Sequence, residues 1–208
     1  MLKWLKHFIE QSWLLMVSSF IFGLLIAVTY AAWQPRIEAN KTDKLNNLMS
    51  ALISQADRFE LTLEDVPVDL GKGKIAKTDI YKAVSDDGGC LGFCFDAQGP
   101  GFADKIELVI AVDFRFETIG SYKVLASNET PGFGDRIQND YYRRQFDGAP
   151  AGKLDLSKTG PADKIDDEII AISGATVSSE AVVKIFNNYI EQIKTALTKE
   201  GMIGNADK

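Results

Sequence analysis

Residues 168–199 read EIIAISGATVSSEAVVKIFNNYIEQIKTALTK. The apolar run Glu168–Ile172 predicts a short strand. From about Thr176 to Lys199 the pattern becomes helical. Val182, Phe186, Tyr189, Ile190, Ile193 and Leu197 fall on one apolar face. Lys194 and Lys199 sit near its C-terminal end, and Gly201 stops it. Strand and helix are joined by Ser173-Gly174-Ala175-Thr176-Val177-Ser178-Ser179. Gly174 permits a backbone turn that a side chain would forbid, and Ala175 keeps the approach open. A helix start offers unpaired N–H groups and the positive end of the helix dipole, which together suit an anion such as a phosphate. No Arg or Lys lies close in sequence, and Glu180 is the nearest charge. The same residues also have an ordinary explanation. Thr176, Ser178 and Ser179 are all candidate N-caps, and capping alone accounts for the heptapeptide.

Upstream, Lys105–Phe114 (KIELVIAVDF) predicts a strong strand. Glu117–Ser127 (ETIGSYKVLAS) is its expected hairpin partner, with Ile119, Tyr122 and Val124 on one covered face. Asp79–Val84 and Cys90–Phe95 are shorter strand candidates. The hairpin is followed by Glu129-Thr130-Pro131-Gly132-Phe133-Gly134-Asp135. Pro then Gly fits the two central positions of a type II turn, which would display Phe133 on an open loop. A flat aromatic ligand fits such a surface, with Glu129 or Thr130 bonding to its edge. A plain turn after a strand is the alternative. A helical turn is expected over Tyr141–Phe146. Ala149–Asp163 is expected to be loop with one short strand. The class is α+β, an antiparallel sheet with flanking helices.

Further back, Leu14–Trp33 is a run of 20 residues without charge, long enough to span a bilayer as a helix. Trp13, Tyr30 and Trp33 stand where interfacial aromatics belong. Lys3, Lys6 and His7 precede the run against one acid, Glu10. The positive-inside rule thus favours a cytoplasmic N-terminus and an exported C-terminal part. A cleaved signal peptide is the competing reading, and the length of the run argues against it. Arg36–Gln55 is expected to be helical, with Leu45, Leu48, Met49, Leu52 and Ile53 on one face. The expected organisation is an N-terminus at 1–13, a transmembrane helix at 14–33, a linker helix and connection at 34–78, a binding domain at 79–200 and a tail at 201–208.

Composition narrows the function. The chain has 208 residues and a formal net charge of −6. Lys3, Lys6 and Glu10 are the only charged residues before Arg36 apart from a neutral His7. The remainder therefore holds 21 basic against 28 acidic residues, which argues against a nucleic-acid partner. His7 is the single histidine, so His-based catalysis and zinc-type clusters are not expected. The two cysteines, Cys90 and Cys94, would lie roughly 13 Å apart along a strand, too far for a disulfide. They read as two small apolar side chains on one sheet face.

The two loops, in this order and after an N-terminal span, resemble the FMN-binding subunits of bacterial respiratory complexes. These are the G subunit of the Rnf ferredoxin:NAD oxidoreductase and the C subunit of the sodium-pumping NADH:quinone oxidoreductase, with the Rnf protein the better match. The resemblance covers nearly the whole chain. It implies FMN joined covalently through its phosphate to Thr176, in a site formed by Ser173, Gly174, Ala175, Val177 and Ser178. The loop Glu129, Thr130, Pro131, Gly132, Phe133 and Gly134 would lie beside the isoalloxazine ring. Phe133 replaces the family's Leu. Ile170 stands where the family usually has an Asp that the attaching flavin transferase meets, and Glu168 and Asp167 are the nearest acids upstream. The implied role is electron relay within a membrane-bound, ion-translocating oxidoreductase. The assembled complex would be the enzyme, this chain would supply no catalytic residue, and its domain would lie on the periplasmic side of the inner membrane. Implied partners are the other subunits, the membrane and, during maturation, the transferase. The contrasting reading is a membrane-tethered binding or assembly module without a cofactor.

Overall fold

The structure is a computed structural model, and it describes residues 2–71, 73–161 and 164–203. It divides into two units, residues 1–43 and 44–208. Helix α1 (Leu2–Leu52) supplies all described residues of the first unit and the opening turns of the second. Its apolar stretch reaches a mean hydropathy of 2.2 with no residue buried, so it is long and apolar enough to cross a membrane. Phe20, Phe22 and Ile26 stand exposed along it. That much uncovered apolar surface suits a lipid-facing anchor better than a water-facing helix. Pro35 lies inside this helix. The helix runs through it and forgoes the hydrogen bond that the missing N–H would have made.

The second unit is built on a five-stranded antiparallel sheet in chain order. Its strands are β1 (Arg58–Asp69), β2 (Ile75–Val84), β3 (Cys90–Pro100), β4 (Lys105–Asp113) and β5 (Ile119–Ser127). The sheet therefore starts at Arg58, and residues 58–69 and 75–78, expected to be part of a connection, form β1 and the start of β2. The hairpin between β4 and β5 pairs as expected. Asp113 shapes its turn by accepting the N–H groups of Glu117 (2.7 Å) and Thr118 (2.8 Å).

Both faces of the sheet are covered. On one face, helix α3 (Thr176–Lys199) buries Val182, Phe186, Tyr189, Ile190, Ile193 and Leu197 against Phe93, Phe95, Leu108, Ile110 and Tyr122. On the other, Leu45, Leu48, Met49, Leu52 and Ile53 pack on Cys94, Val109, Ala111 and Leu125. The single covered face expected for β5 is thus half of the arrangement. Tyr122 and Val124 point to one cluster and Leu125 to the other, as alternation along the strand requires, while the register shift between Ala111 and Val112 brings Ile119 to the side of Tyr122 despite their odd spacing.

A register shift also separates the cysteines. Ala83 pairs with Gly92 but Val84 pairs with Cys90, so Leu91 is an extra residue on β3. Cys90 packs on the α3 side and Cys94 is buried on the other, which corrects the expectation of one shared face. Both thiols are free, and burial pushes the Cys94 thiol up to about 12. Because this folded value lies above the unfolded one, the stabilising term is complete below about 8.5 and declines as pH rises towards 12. Iodoacetamide at pH 8 is expected to alkylate half-buried Cys90 and spare Cys94 until the chain unfolds, as peptide mass spectrometry would show.

Two further strands, β6 (Asp155–Ser157) and β7 (Glu168–Ile170), form a small parallel sheet of their own. Side-chain amides lock these peripheral pieces in place. Asn187 on α3 accepts the N–H of Leu154 and donates to its carbonyl, both at 2.8 Å. Gln192 does the same for Asp69 of β1, at 2.8 and 3.0 Å. Gln145 follows the short helix α2 (Asp140–Arg143). It accepts the N–H of Ile170 at 2.7 Å and donates to its carbonyl at 3.2 Å. Each bond adds modestly to stability, but together they fix where β7 delivers the chain to α3.

Candidate functional site

Chain from β7 turns sharply at Gly174, where φ is +82°. A side chain there is strained, since non-glycine residues reach this region at a cost of about 1–2 kcal/mol. Ala175 is the N-cap residue of α3, and no side chain caps the helix. The three hydroxyls suggested as caps act otherwise. Ser179 Oγ accepts the N–H of Ile172 and donates to the carbonyl of Ala175, both at 3.0 Å, stapling the loop to the helix. Ser178 Oγ donates to Glu129. Thr176 is the first helical residue, half-buried. The capping explanation of this heptapeptide therefore fails. The N–H groups of Thr176, Val177 and Ser178 begin the helix with no intrahelical acceptor, at the positive end of a 24-residue dipole.

The second loop folds as expected. Gly132 has φ +77°, and Phe133 N–H donates to the Thr130 carbonyl at 3.2 Å, closing the predicted turn. The chain then enters a 3-10 turn, Gly134–Gln138. This turn is tied to the sheet by Tyr122, whose hydroxyl donates to the Ile137 carbonyl at 2.5 Å. Tyr142 similarly donates to the Ser179 carbonyl at 3.1 Å. Burial raises the pKa of both phenols, so each remains a donor at neutral pH.

Fold brings the two loops to one cleft of about 430 Å³. It is lined by Thr130, Phe133 and Gly134 from the first loop, and by Gly174, Ala175, Thr176, Val177 and Ser178 from the second. Pro131 and Gly132 lie at the exposed turn, and Ser173 is exposed beside Gly174. Glu129 lies beneath the cleft rather than at a ligand's edge. It is buried, accepts Ser178 Oγ through Oε2, and accepts the N–H groups of Phe102 (2.9 Å) and Ala103 (3.0 Å) through Oε1. Gly134 explains the absence of a side chain there: a Cβ would come within 2.6 Å of both Glu129 Oε2 and Ser178 Oγ. One lining residue, and one that packs on the lining, escaped the sequence reading. Phe102, from the β3–β4 loop, supplies an exposed part of the wall. Arg136 lies over the ring of Phe133, 5.9 Å from its centroid. Arg136 supports that ring and is not itself among the residues lining the cleft.

The donor set suits a phosphorylated, flat ligand. Backbone amides and a dipole end would face a phosphate, glycines admit close approach, and Phe102 and Phe133 offer aromatic wall. Gly174→Ala is expected to destabilise the domain by about 1–2 kcal/mol through its left-handed φ. It should also lower the flavin recovered per chain. Thermal melting and absorbance at the flavin band would check the two effects.

Comparison with known proteins places this cleft in a class. The FMN-binding domain family matches residues 101–191, from the loop of Phe102 through most of α3. The matched stretch holds both loops of the cleft. It is 27% identical over 179 residues to the G subunit of the ion-translocating oxidoreductase complex of Methanosarcina acetivorans, covering 86% of this chain and 90% of that protein. It is 28% identical to the G subunit of the proton-translocating ferredoxin:NAD(+) oxidoreductase complex of Clostridium ljungdahlii, with 87% and 89% covered. The fold is that of the C subunit of the Na(+)-translocating NADH-quinone reductase of Parabacteroides distasonis. Here the TM-score is 0.55 and identity 18%, with 74% of this chain and 92% of that one covered. NqrC of Shewanella oneidensis gives a TM-score of 0.53 at 20% identity, with 70% and 73% covered.

Proposed function

We propose that this chain is the electron carrier of a membrane-bound, ion-translocating oxidoreductase of the Rnf type, equivalent to its G subunit, and that its FMN is bonded through the phosphate to Thr176. The observation that carries the reading is the uncapped start of α3, which opens with Thr176 into a cleft shared with the Glu129–Gly134 loop. The relatives named as G subunits align over most of their own length, which supports this assignment over the alternative of the sodium-pumping complex.

In this reading the amides of Thr176, Val177 and Ser178 would hold the phosphate oxygens, and Thr176 Oγ1 would carry the phosphorus as a phosphoester in place of one phosphate oxygen, which in net leaves with the hydroxyl proton as water. Ser173, Gly174 and Ala175 shape the approach. Thr130, Pro131, Gly132, Phe133 and Gly134 border the ring, and Glu129 holds that loop to the helix. FMN supplies one-electron chemistry when bound. The protein fixes its place and excludes water from one side. Thr176 is an attachment point and takes no part in proton transfer during turnover. The α1 anchor holds the domain at the inner membrane, on the periplasmic side by the charge balance around the span. Partners are the other subunits and, during maturation, a flavin transferase. At Ile170 that transferase meets an apolar side chain on a strand held by Gln145.

The test is the intact mass of the denatured chain purified from its native membrane. A gain of one FMN less one water is expected, with flavin fluorescence on the denatured band. An unmodified mass with flavin released on denaturation would contradict the covalent bond. An unmodified mass and no flavin at all would favour the cofactor-free tethered module.

A further inference from the structure

Phe102 is the wall residue to which neither loop motif gives a task. It is 67% exposed. It borders two cavities, the cleft of the Thr176 loop and a second cavity of about 400 Å³ lined by Leu70, Lys74 and residues 98–105. Its main chain, by contrast, is fixed. Its N–H and that of Ala103 both donate to Glu129 Oε1. Gly101 before it admits no side chain, because a Cβ would collide with that same Oε1 and approach the Asp104 carbonyl to 2.6 Å. A buried carboxylate thus anchors a loop that presents a large apolar ring to solvent. Exposing such a ring is unfavourable until something covers it. Phe133, 55% exposed, lines the same cleft from the loop that Glu129 belongs to.

Resting on the flavin reading above, we propose that Phe102 is a flavin-positioning residue: it packs against the isoalloxazine ring and fixes its orientation, with Phe133 as a second wall. A bond at the phosphate leaves the far end of the cofactor free to swing on its ribityl chain. Only a contact at the ring removes that freedom, and aromatic faces favour offset or edge contact with another flat ring.

The test uses the full chain with its flavin, in wild-type, Phe102→Ala and Phe102→Tyr forms. Intact mass, flavin fluorescence anisotropy and quenching by iodide are read on each sample. Phe102→Ala is expected to keep the FMN mass, lose anisotropy and become about fivefold more open to iodide, while Phe102→Tyr restores both. Wild-type anisotropy and quenching in Phe102→Ala would overturn the proposal. A wild-type chain without the FMN mass means that attachment at Thr176 has failed. In that case, or if Phe102→Ala alone lacks the mass, free FMN is titrated onto unmodified protein. A loss of affinity of about tenfold in Phe102→Ala upholds the role of Phe102. Equal affinity, or none in either protein, overturns it.

Discussion

Thr176→Ala is expected to remove all covalent flavin and leave the domain folded. No side-chain cap is lost, because Ala175 occupies the cap position and no side chain bonds there. Alanine is also a better helix former than threonine. The melting temperature should therefore stay within the change set by about 0.5 kcal/mol, while the FMN mass disappears and the denatured band goes dark. Thr176→Ser keeps a hydroxyl at the same place and should retain part of the flavin. A tethered module without cofactor predicts equal, unmodified masses for all three chains. Separating loss of cofactor from loss of fold needs only a melt and a mass on one preparation.

Glu129→Ala should have the largest effect on stability. The side chain is buried and accepts hydrogen bonds from three places: the β3–β4 loop at Phe102 and Ala103, and α3 at Ser178. Removing it leaves three donors without that acceptor. Water can reach the two loop amides, whose residues are exposed, but Ser178 is buried. A cost of about 2–4 kcal/mol follows, or roughly 5–15 °C in melting temperature for a domain of this size. Glu129→Gln keeps one oxygen acceptor and should cost about half as much. Both should loosen the two loops together, so flavin content should fall with stability. That joint change would distinguish a structural tie from a residue that only touches the ligand. Scanning calorimetry and flavin absorbance on the two variants read it directly.

The strand, tight turn and amphipathic helix of residues 168–199 were legible because each rests on local chemistry. Hydrophobic period, a glycine at a left-handed φ and a closing glycine all speak within a few residues. The Pro131-Gly132 turn was legible for the same reason. Strand β1 was hidden. It is an edge strand carrying Glu60, Glu64 and Asp65, with Pro67 inside it and two register shifts in its pairing with β2. Edge strands tolerate such residues, so the period-2 signal disappears. The hydroxyls at 178 and 179 misled because their spacing fits a cap equally well. Their actual partners, Glu129 and the Ile172 N–H, depend on tertiary placement. Phe102 was invisible as a site residue, and Arg136 as the support of the Phe133 ring, since sequence alone says nothing of which phenylalanine remains uncovered or which arginine rests on a ring.

The most direct test of the covalent reading is fragmentation of the tryptic peptide covering residues 165–184, from protein isolated out of its native membrane. It holds Ser173, Thr176, Ser178 and Ser179. The expected result is one FMN, less one water, with fragment ions that place it on Thr176. An unmodified peptide, or flavin localised to another residue, would contradict it.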